Sequence, residues 1–285
     1  MTTENQTKQN QNQNQIQFSG LDIITDVLNA DTSKLVSAFK AMKTYSIYNT
    51  MYACLQMDMR KLPITPIKTF NQWKAEGYHV KRGAKAIGIL FPTFYSEVEK
   101  DADGNVKKDA NGKPLKSKHL KGFVEQHMHF CMAETNCTDY KVEDFTIDNY
   151  DLDKALKACG ITLKQFQQFN GNIMGYAKHK DNSIALNPLI KDKAELLHTL
   201  FHEVAHVVLG HTSKDCKVEK GMREYEADMT GYIVMKFLGL ANDNLQKQCK
   251  AYISSYLCND FKEATSDKEV RKILKAVDTI VKAGM

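Results

Sequence analysis

The sequence predicts an α+β protein of two domains, and three observations carry that prediction. Apolar residues recur at helical spacing near both ends of the chain. Two β-like stretches flank a charged, glycine-punctuated insert in the first half. An acidic stretch without pattern, from Tyr140 to Asp153, interrupts the chain near its middle. The division is a tail of residues 1–17, a helix and β-hairpin domain of residues 18–145, and a mainly helical domain of residues 146–285. A chain of 285 residues is long enough for both domains to bury a core.

The elements follow in order. Residues 1 to about 15 are a Gln/Asn/Thr tract that has nothing to bury and is expected to be disordered. From Ile16 to Lys43 the pattern is helical: Leu21, Ile24, Val27 and Leu28 share a face, then Asp31 caps a segment carrying Leu35, Val36 and Phe39. Tyr45 to Met57 continues as a helix, and Pro63 and Pro66 lie beyond its end. Thr69 to Gly77 predicts a short helix with Phe70 and Trp73 on one side. Ala86 to Val98 is rich in β-formers, and Lys121 to Met132 is its partner across a long-looped hairpin. The insert between them has two turn signals, Asp103-Gly104-Asn105 and Asn111-Gly-Lys-Pro114. His127 and His129 alternate on the second strand and read as strand surface. In the second half, helices are expected at Leu152–Ala158, Leu163–Phe169, around Val204, at about Val218–Leu238, Asn242–Cys258 and Asp267–Ala283, with a strand at Ser183–Asn187.

Composition narrows the function classes. No apolar run approaches a membrane span and the N-terminus lacks the order of a secretion signal, so a membrane role is not expected. Seven scattered cysteines without a Cys-x-x-Cys pair predict reduced thiols and a cytoplasmic location. Between Lys34 and Leu90 ten basic residues meet only Asp58 and Glu76. This stretch alone exceeds the +5 of the whole chain and the remainder is net acidic. Such a contrast points to a polyanion as strongly as to a merely solubilising face.

The chemistry lies in His202-Glu203-Val204-Ala205-His206. The two histidines are one helical turn apart, so their imidazoles leave one face and can grip one metal ion. Glu203 lies toward the same side and is the candidate general base. Leu196, Leu197, Leu200, Phe201, Val204, Val207 and Val208 bury the helix. Gly210 and His211 stand at the wrong offsets for the third histidine of the metzincin pattern. Glu224 is the candidate instead, on a helix that also carries Asp228 one turn on, as in thermolysin-like gluzincins. Glu226 is displaced by roughly 200° from Glu224 and points elsewhere. Two histidines and a glutamate with an open position suit a catalytic zinc, and Asp228 can accept the second ring N–H of a ligand histidine. Tyr176, His179 and His211 are the candidate transition-state donors.

Two sets of motifs together resemble a known family over about residues 18 to 260. Tyr45-Ser-Ile-Tyr-Asn49, Phe70-Asn-Gln-Trp-Lys-Ala-Glu-Gly77, Val80-Lys-Arg-Gly-Ala-Lys-Ala-Ile-Gly-Ile-Leu-Phe-Pro92 and Phe130-Cys-Met-Ala-Glu-Thr-Asn136 look like the N-terminal domain of ArdC-type antirestriction proteins. The stretch from Tyr176 through Leu186-Asn-Pro188 and His202–His206 to Glu224–Asp228 is similar to the metallopeptidase domain of ArdC and of the ImmA/IrrE family. The chain departs from that pattern at Gly175-Tyr176, where the family usually shows an aromatic–Tyr pair.

The resemblance implies a DNA-binding N-terminal domain fused to a zincin-like domain. It implies sequence-independent binding of single-stranded DNA and protection of a mobile element's incoming DNA from restriction. The residues that would contact DNA are Asn49, Trp73, Lys74, Lys81, Arg82 and Lys85. For Trp73, helix anchor and base platform stay open as alternatives. The expected mechanism is hydrolysis of a protein substrate at a zinc site, with Ser183–Asn187 as an edge strand that pairs with the peptide. The rival readings are a regulatory ImmA/IrrE-type peptidase that cleaves a repressor or other host protein, and a DNA-binding protein with a structural metal.

Overall fold

The structure, a computed structural model, describes residues 18–139, 150–167, 173–258 and 266–285. The expected tail and the expected boundary at residue 145 lie outside the described residues. Helices and two three-stranded sheets make the fold α+β. The chain forms two compact units, one of Met1–Leu55 with Val142–Met285 and one of Gln56–Lys141. The helices before Leu55 therefore group with the second half of the chain and not with the hairpin that follows them. Sequence order could not reveal this, because an apolar helix face shows that it needs a partner without showing which one.

In the first unit, α1 (Gly20–Asn29) starts at a capping box formed by Ser19 and Asp22 and buries Ile23, Ile24, Val27 and Leu28. The helix α2 (Thr32–Met42) is capped by Asp31 and buries Leu35, Ala38 and Phe39. The helix α3 (Ile47–Met59) begins in this unit and ends in the other, and its start is held by Asp278, whose carboxylate accepts the Ile47 N–H at 3.1 Å. Next come α5 (Leu152–Ala158) and a small sheet of β4 (Thr162–Lys164), β5 (Gly175–Lys178) and β6 (Ser183–Leu186). The unit ends with α6 (Lys193–Val208), α7 (Lys220–Phe237), α8 (Asp243–Cys258) and α9 (Asp267–Ala283).

The helix α7 is the core of this unit, buried from Tyr225 to Phe237 almost without a break except at Asp228. It packs against α2, α6, α8 and α9. Near its end the ammonium of fully buried Lys236 donates to the carbonyls of Val27, Leu28 and Ala30, at 2.8, 3.2 and 2.8 Å. A lysine thus caps the C-terminus of α1 from inside the core, satisfying carbonyls that the helix itself leaves open.

The sheet corrects two expectations. Leu163 and Lys164 belong to a strand, not to a helix over 163–169, because β4 pairs in parallel with β6. The strand order is β4-β6-β5, so Ser183–Leu186 is the central strand and β5 is the edge.

The second unit is built on a sheet of order β1-β3-β2, with β1 (Ile67–Thr69), β2 (Ile87–Val98) and β3 (Lys116–Cys131) all antiparallel. A short helix, α4 (Phe70–Ala75), follows β1 through a capping box of Thr69 and Gln72. The side-chain amide of Gln56 bonds both the N–H and the C=O of Gly88 at 2.8 Å, closing the edge of β2 near its start. Beneath it, a Cβ on residue 88 would lie 2.0 Å from a carboxylate oxygen of Glu125, so glycine makes room for that side chain. His129 corrects the strand-surface reading, since it is buried, and His127 stands 3.1 Å from the buried Glu125 carboxylate. The strand β3 also starts five residues earlier than expected, at Lys116. Cys54, Cys131, Cys137, Cys159, Cys216 and Cys249 are free thiols. No helix among the described residues is long and apolar enough to cross a membrane.

Candidate metal centre and nucleic-acid interface

The candidate metal centre forms where α6 and α7 cross closely. At Gly231 a Cβ would lie 3.0 Å from the His202 backbone nitrogen, so glycine lets the two helices approach. One turn and two turns back along α7 from there, Asp228 and Glu224 come opposite the two histidines of α6. The Nε2 atoms of His202 and His206 are 3.0 Å apart, and Glu224 Oε2 lies 3.5 and 3.6 Å from them. Ligand atoms about 2.0–2.1 Å from one ion in a tetrahedron are about 3.3 Å apart, so the three atoms fit one small divalent cation. The set also brings together one carboxylate and two imidazoles with all ligand atoms within 4.8 Å of one another.

The surrounding charges fix the ligands. Asp228 Oδ1 lies 2.7 Å from His202 Nδ1, which orients that ring and leaves its Nε2 for the cluster. Burial pulls the His202 imidazole down, but the Asp228 and Glu224 carboxylates outweigh it and lift it to about 10. Reciprocally, His202 and His206 hold the Glu224 carboxyl well below the usual carboxylate range. The cluster is built to keep positive charge at its centre. Glu203 is buried on the same helix; burial pushes its carboxyl up, and the two imidazoles only partly counter this. A raised carboxyl is a better proton acceptor near neutral pH.

The cleft above these groups holds about 460 Å³. The edge strand β5 forms one wall, and it passes so near Glu203 that a Cβ on residue 175 would lie 3.0 Å from Oε1. A larger residue at 175 would press on the Glu203 and Thr199 side chains, which would have to give by a few tenths of an ångström. Sequence reasoning also missed Thr212, Ser213 and Arg223 in the cleft wall, which no pattern singled out.

The three candidate donors fare differently. The hydroxyl of Tyr176 accepts the Gln167 N–H at 3.3 Å and its ring packs on Phe166, while the residue lines the cleft beside the ligand cluster. His211 has both ring nitrogens occupied, by His206 and Glu226. The side chain of His179 lies outside the described residues. Glu226 indeed points away from the ligands, yet it is fully buried rather than solvated. Burial would raise its carboxyl, but bonds from His211 and Lys272 hold it at about 2.

The residues expected to contact DNA differ in their surroundings. Trp73 is a core residue, fully buried, with its indole N–H donated to the Phe130 carbonyl at 2.9 Å, so it is a helix anchor and not a base platform. Asn49 is half-buried and belongs to the other compact unit. Lys74, Lys81, Arg82 and Lys85 are exposed. Arg60, counted with the basic stretch, is spent on the Lys85 and Ala86 carbonyls at 2.6 and 2.9 Å, and Lys68 on Glu76 at 2.5 Å.

What the sequence did not single out is the outer part of the hairpin. A register shift between Thr93 and Phe94 sets Leu120 opposite Phe94 and Phe123 opposite Pro92 on one face. Phe94, Leu120 and Phe123 are 56, 54 and 44% exposed. Lys116, Lys118 and Lys121 are exposed on the same stretch of β3, which has no carboxylate between Lys116 and Val124.

Residues 27–124 match the family model described as the N-terminal domain of anti-restriction factor ArdC. The chain carries an ArdC-type N-terminal domain. The ArdC segment crosses the division between the compact units at Leu55, so it is a unit of sequence rather than of packing. Among solved structures, the chain is similar to the Mn(II)-bound crystal structure of the antirestriction ArdC protein from plasmid R388. That match has 14% identity and a TM-score of 0.47, covering 92% of this chain and 97% of that one. The metal-free structure of the same protein matches at 16% identity with a TM-score of 0.44, covering 92 and 98%. No curated protein matches the chain.

Proposed function

We propose that this ArdC-type chain is an antirestriction protein of a mobile element that binds single-stranded DNA without sequence preference and carries a zinc peptidase site. The observation that carries the enzymatic half is the convergence of His202 Nε2, His206 Nε2 and Glu224 Oε2 beside the buried Glu203. His202, His206 and Glu224 would hold the ion, which when bound would polarise a carbonyl and acidify water. Glu203 takes a proton on its carboxylate and delivers it to the leaving amine. The edge strand β5 offers its open side to an extended peptide, in place of the central strand β6 expected from sequence. This wall also suits the second reading, a regulatory ImmA/IrrE-type peptidase acting on a repressor or other host protein.

For DNA, the support is the ArdC-type domain together with the exposed aromatic and basic hairpin. Single-strand binding combines a cationic track with rings on which bases stack, and tolerates any sequence. The domain span 18–145 is the proposed DNA-binding portion, with Phe94 and Phe123 replacing Trp73 as platforms. Titrating the full chain with single-stranded and duplex oligonucleotides of unrelated sequence, over a range of salt, tests this. Tighter binding to duplex, or affinity indifferent to salt, would sink the DNA half. Plating efficiency in a restricting host tests the coupling. Glu203→Gln is expected to protect incoming DNA still, and failure of that variant while it binds DNA and zinc would favour the second reading.

A further inference from the structure

We infer that His211, Glu226 and Lys272 form a relay that holds the ligand imidazole of His206 and carries a carboxylate's charge to it through a second imidazole. The inference rests on His202, His206 and Glu224 being metal ligands.

The relay begins with the way α6 stops. Gly210 takes the left-handed conformation, with φ +75, and its N–H bonds the Val207 carbonyl at 3.0 Å. The His211 N–H then reaches back to the carbonyl of His206 at 2.9 Å. This glycine-terminated helix stop ordinarily brings the residue after the glycine over the last turn in an apolar contact. Here the pair so joined is His211 and His206, with their Nδ1 atoms 3.1 Å apart.

Two ring nitrogens at that distance need one proton between them, and the geometry assigns it. His206 Nε2 faces His202 and Glu224, where it must present a lone pair to a cation. Its proton therefore sits on Nδ1 and is donated to His211 Nδ1. His211 then carries its own proton on Nε2 and donates it to Glu226 Oε2, 2.5 Å away. The Lys272 ammonium donates to the same oxygen at 2.5 Å from α9. Side chains of His211 and Glu226 are each 1% exposed, so water does not compete for these bonds. Each imidazole donor thus has one acceptor, in the order His206, His211, Glu226, and Lys272, which also pairs with Glu269 at 3.3 Å, closes the far end.

The two ligand histidines are consequently supported in different ways. Asp228 bears directly on His202, whereas Glu226 acts on His206 across an intervening ring. Both carboxylates come from α7, which also supplies Glu224, so one helix provides a ligand and both anchoring charges.

The test is the affinity of the full-length protein for zinc, measured by competition with a chromophoric chelator, beside melting of the metal-free protein. His211→Phe and Glu226→Gln are each expected to weaken zinc binding by about 10- to 100-fold. Because they act in series, the double variant should lose no more than His211→Phe alone, whereas Asp228→Asn combined with Glu226→Gln should lose the product of the two. Should His211→Phe not fold, Lys272→Met, at a partly exposed side chain, should show a smaller loss in the same direction. Affinities within twofold of the parent, or losses that multiply along the supposed series, would overturn the relay while Glu224→Ala still abolished binding. A parent protein that binds zinc no better than Glu224→Ala would instead overturn the metal site itself.

Discussion

The two compact units pose opposite problems of recognition. In the unit with the candidate metal centre the ligand side chains are half-buried beside a buried glutamate, Asp228 and His211 support the two histidines, and a short motif announces them. In the hairpin unit the side chains suited to nucleic acid are exposed, individually ordinary and spread along two strands. The difference follows from what each chemistry requires. A metal ion demands a few atoms placed to tenths of an ångström, which a cluster supported by neighbouring side chains provides. A flexible polyanion is held by many weak and interchangeable contacts, so no single residue is indispensable.

That contrast can be broken by substitution, beginning where the effect should be largest. His206→Ala and Glu224→Ala should each leave the protein without zinc in elemental analysis, whereas Glu203→Gln should keep it and lose any peptidase activity. If single substitutions in the cluster merely lower occupancy a little, its cooperative character is wrong. Lys236→Met, far from either chemistry, should cost on the order of 3–5 kcal/mol by leaving three carbonyls at the end of α1 without their donor. A denaturant midpoint close to the parent's would show that water takes over those bonds.

In the hairpin unit the losses should be graded. Phe94→Ala and Phe123→Ala should each weaken single-strand binding by about 1–3 kcal/mol, the worth of one stacked base. Trp73→Phe should lower stability and leave the affinity of the folded protein alone, because its ring is a core anchor. Equal DNA losses at Trp73 and at Phe94 would erase the distinction between anchor and platform. Replacing Lys81, Arg82 and Lys85 together by Ala should flatten the salt dependence by roughly two counterions.

The smallest effect concerns acid. Hydrogen bonds from Lys164 and Ser183 hold the exposed Asp181 carboxyl at about 2, below its usual 3.8. A depressed carboxyl contributes stability that is full above the unfolded value and lost as pH falls through the folded one. Lys164→Ala should therefore lower the melting temperature slightly at neutral pH and converge with the parent between about pH 4 and pH 2. A difference that persisted unchanged at pH 2 would place the contribution of Lys164 elsewhere.

Sequence alone was sufficient wherever function depended on local geometry. His202, Glu203 and His206 share a helix face because the backbone repeats every 3.6 residues, and the same rule joins Glu224 to Asp228 and separates Glu226 from both. The hairpin, its charged insert and most helices were likewise legible, each from its own periodicity and turn residues. Tertiary structure alone decided which faces meet. It buried Trp73, made β6 a central strand, gathered α1 and α2 around α7 and α9, and set Glu226 beneath His211. The wheel showed only that Glu226 points away from the ligands. Where it points depends on α9 and on the turn after Gly210, which are distant along the chain or unpatterned. Periodicity is enforced by bonds between near neighbours, whereas pairing of surfaces is selected by burial and charge over the whole chain, and no spacing in the sequence records that selection.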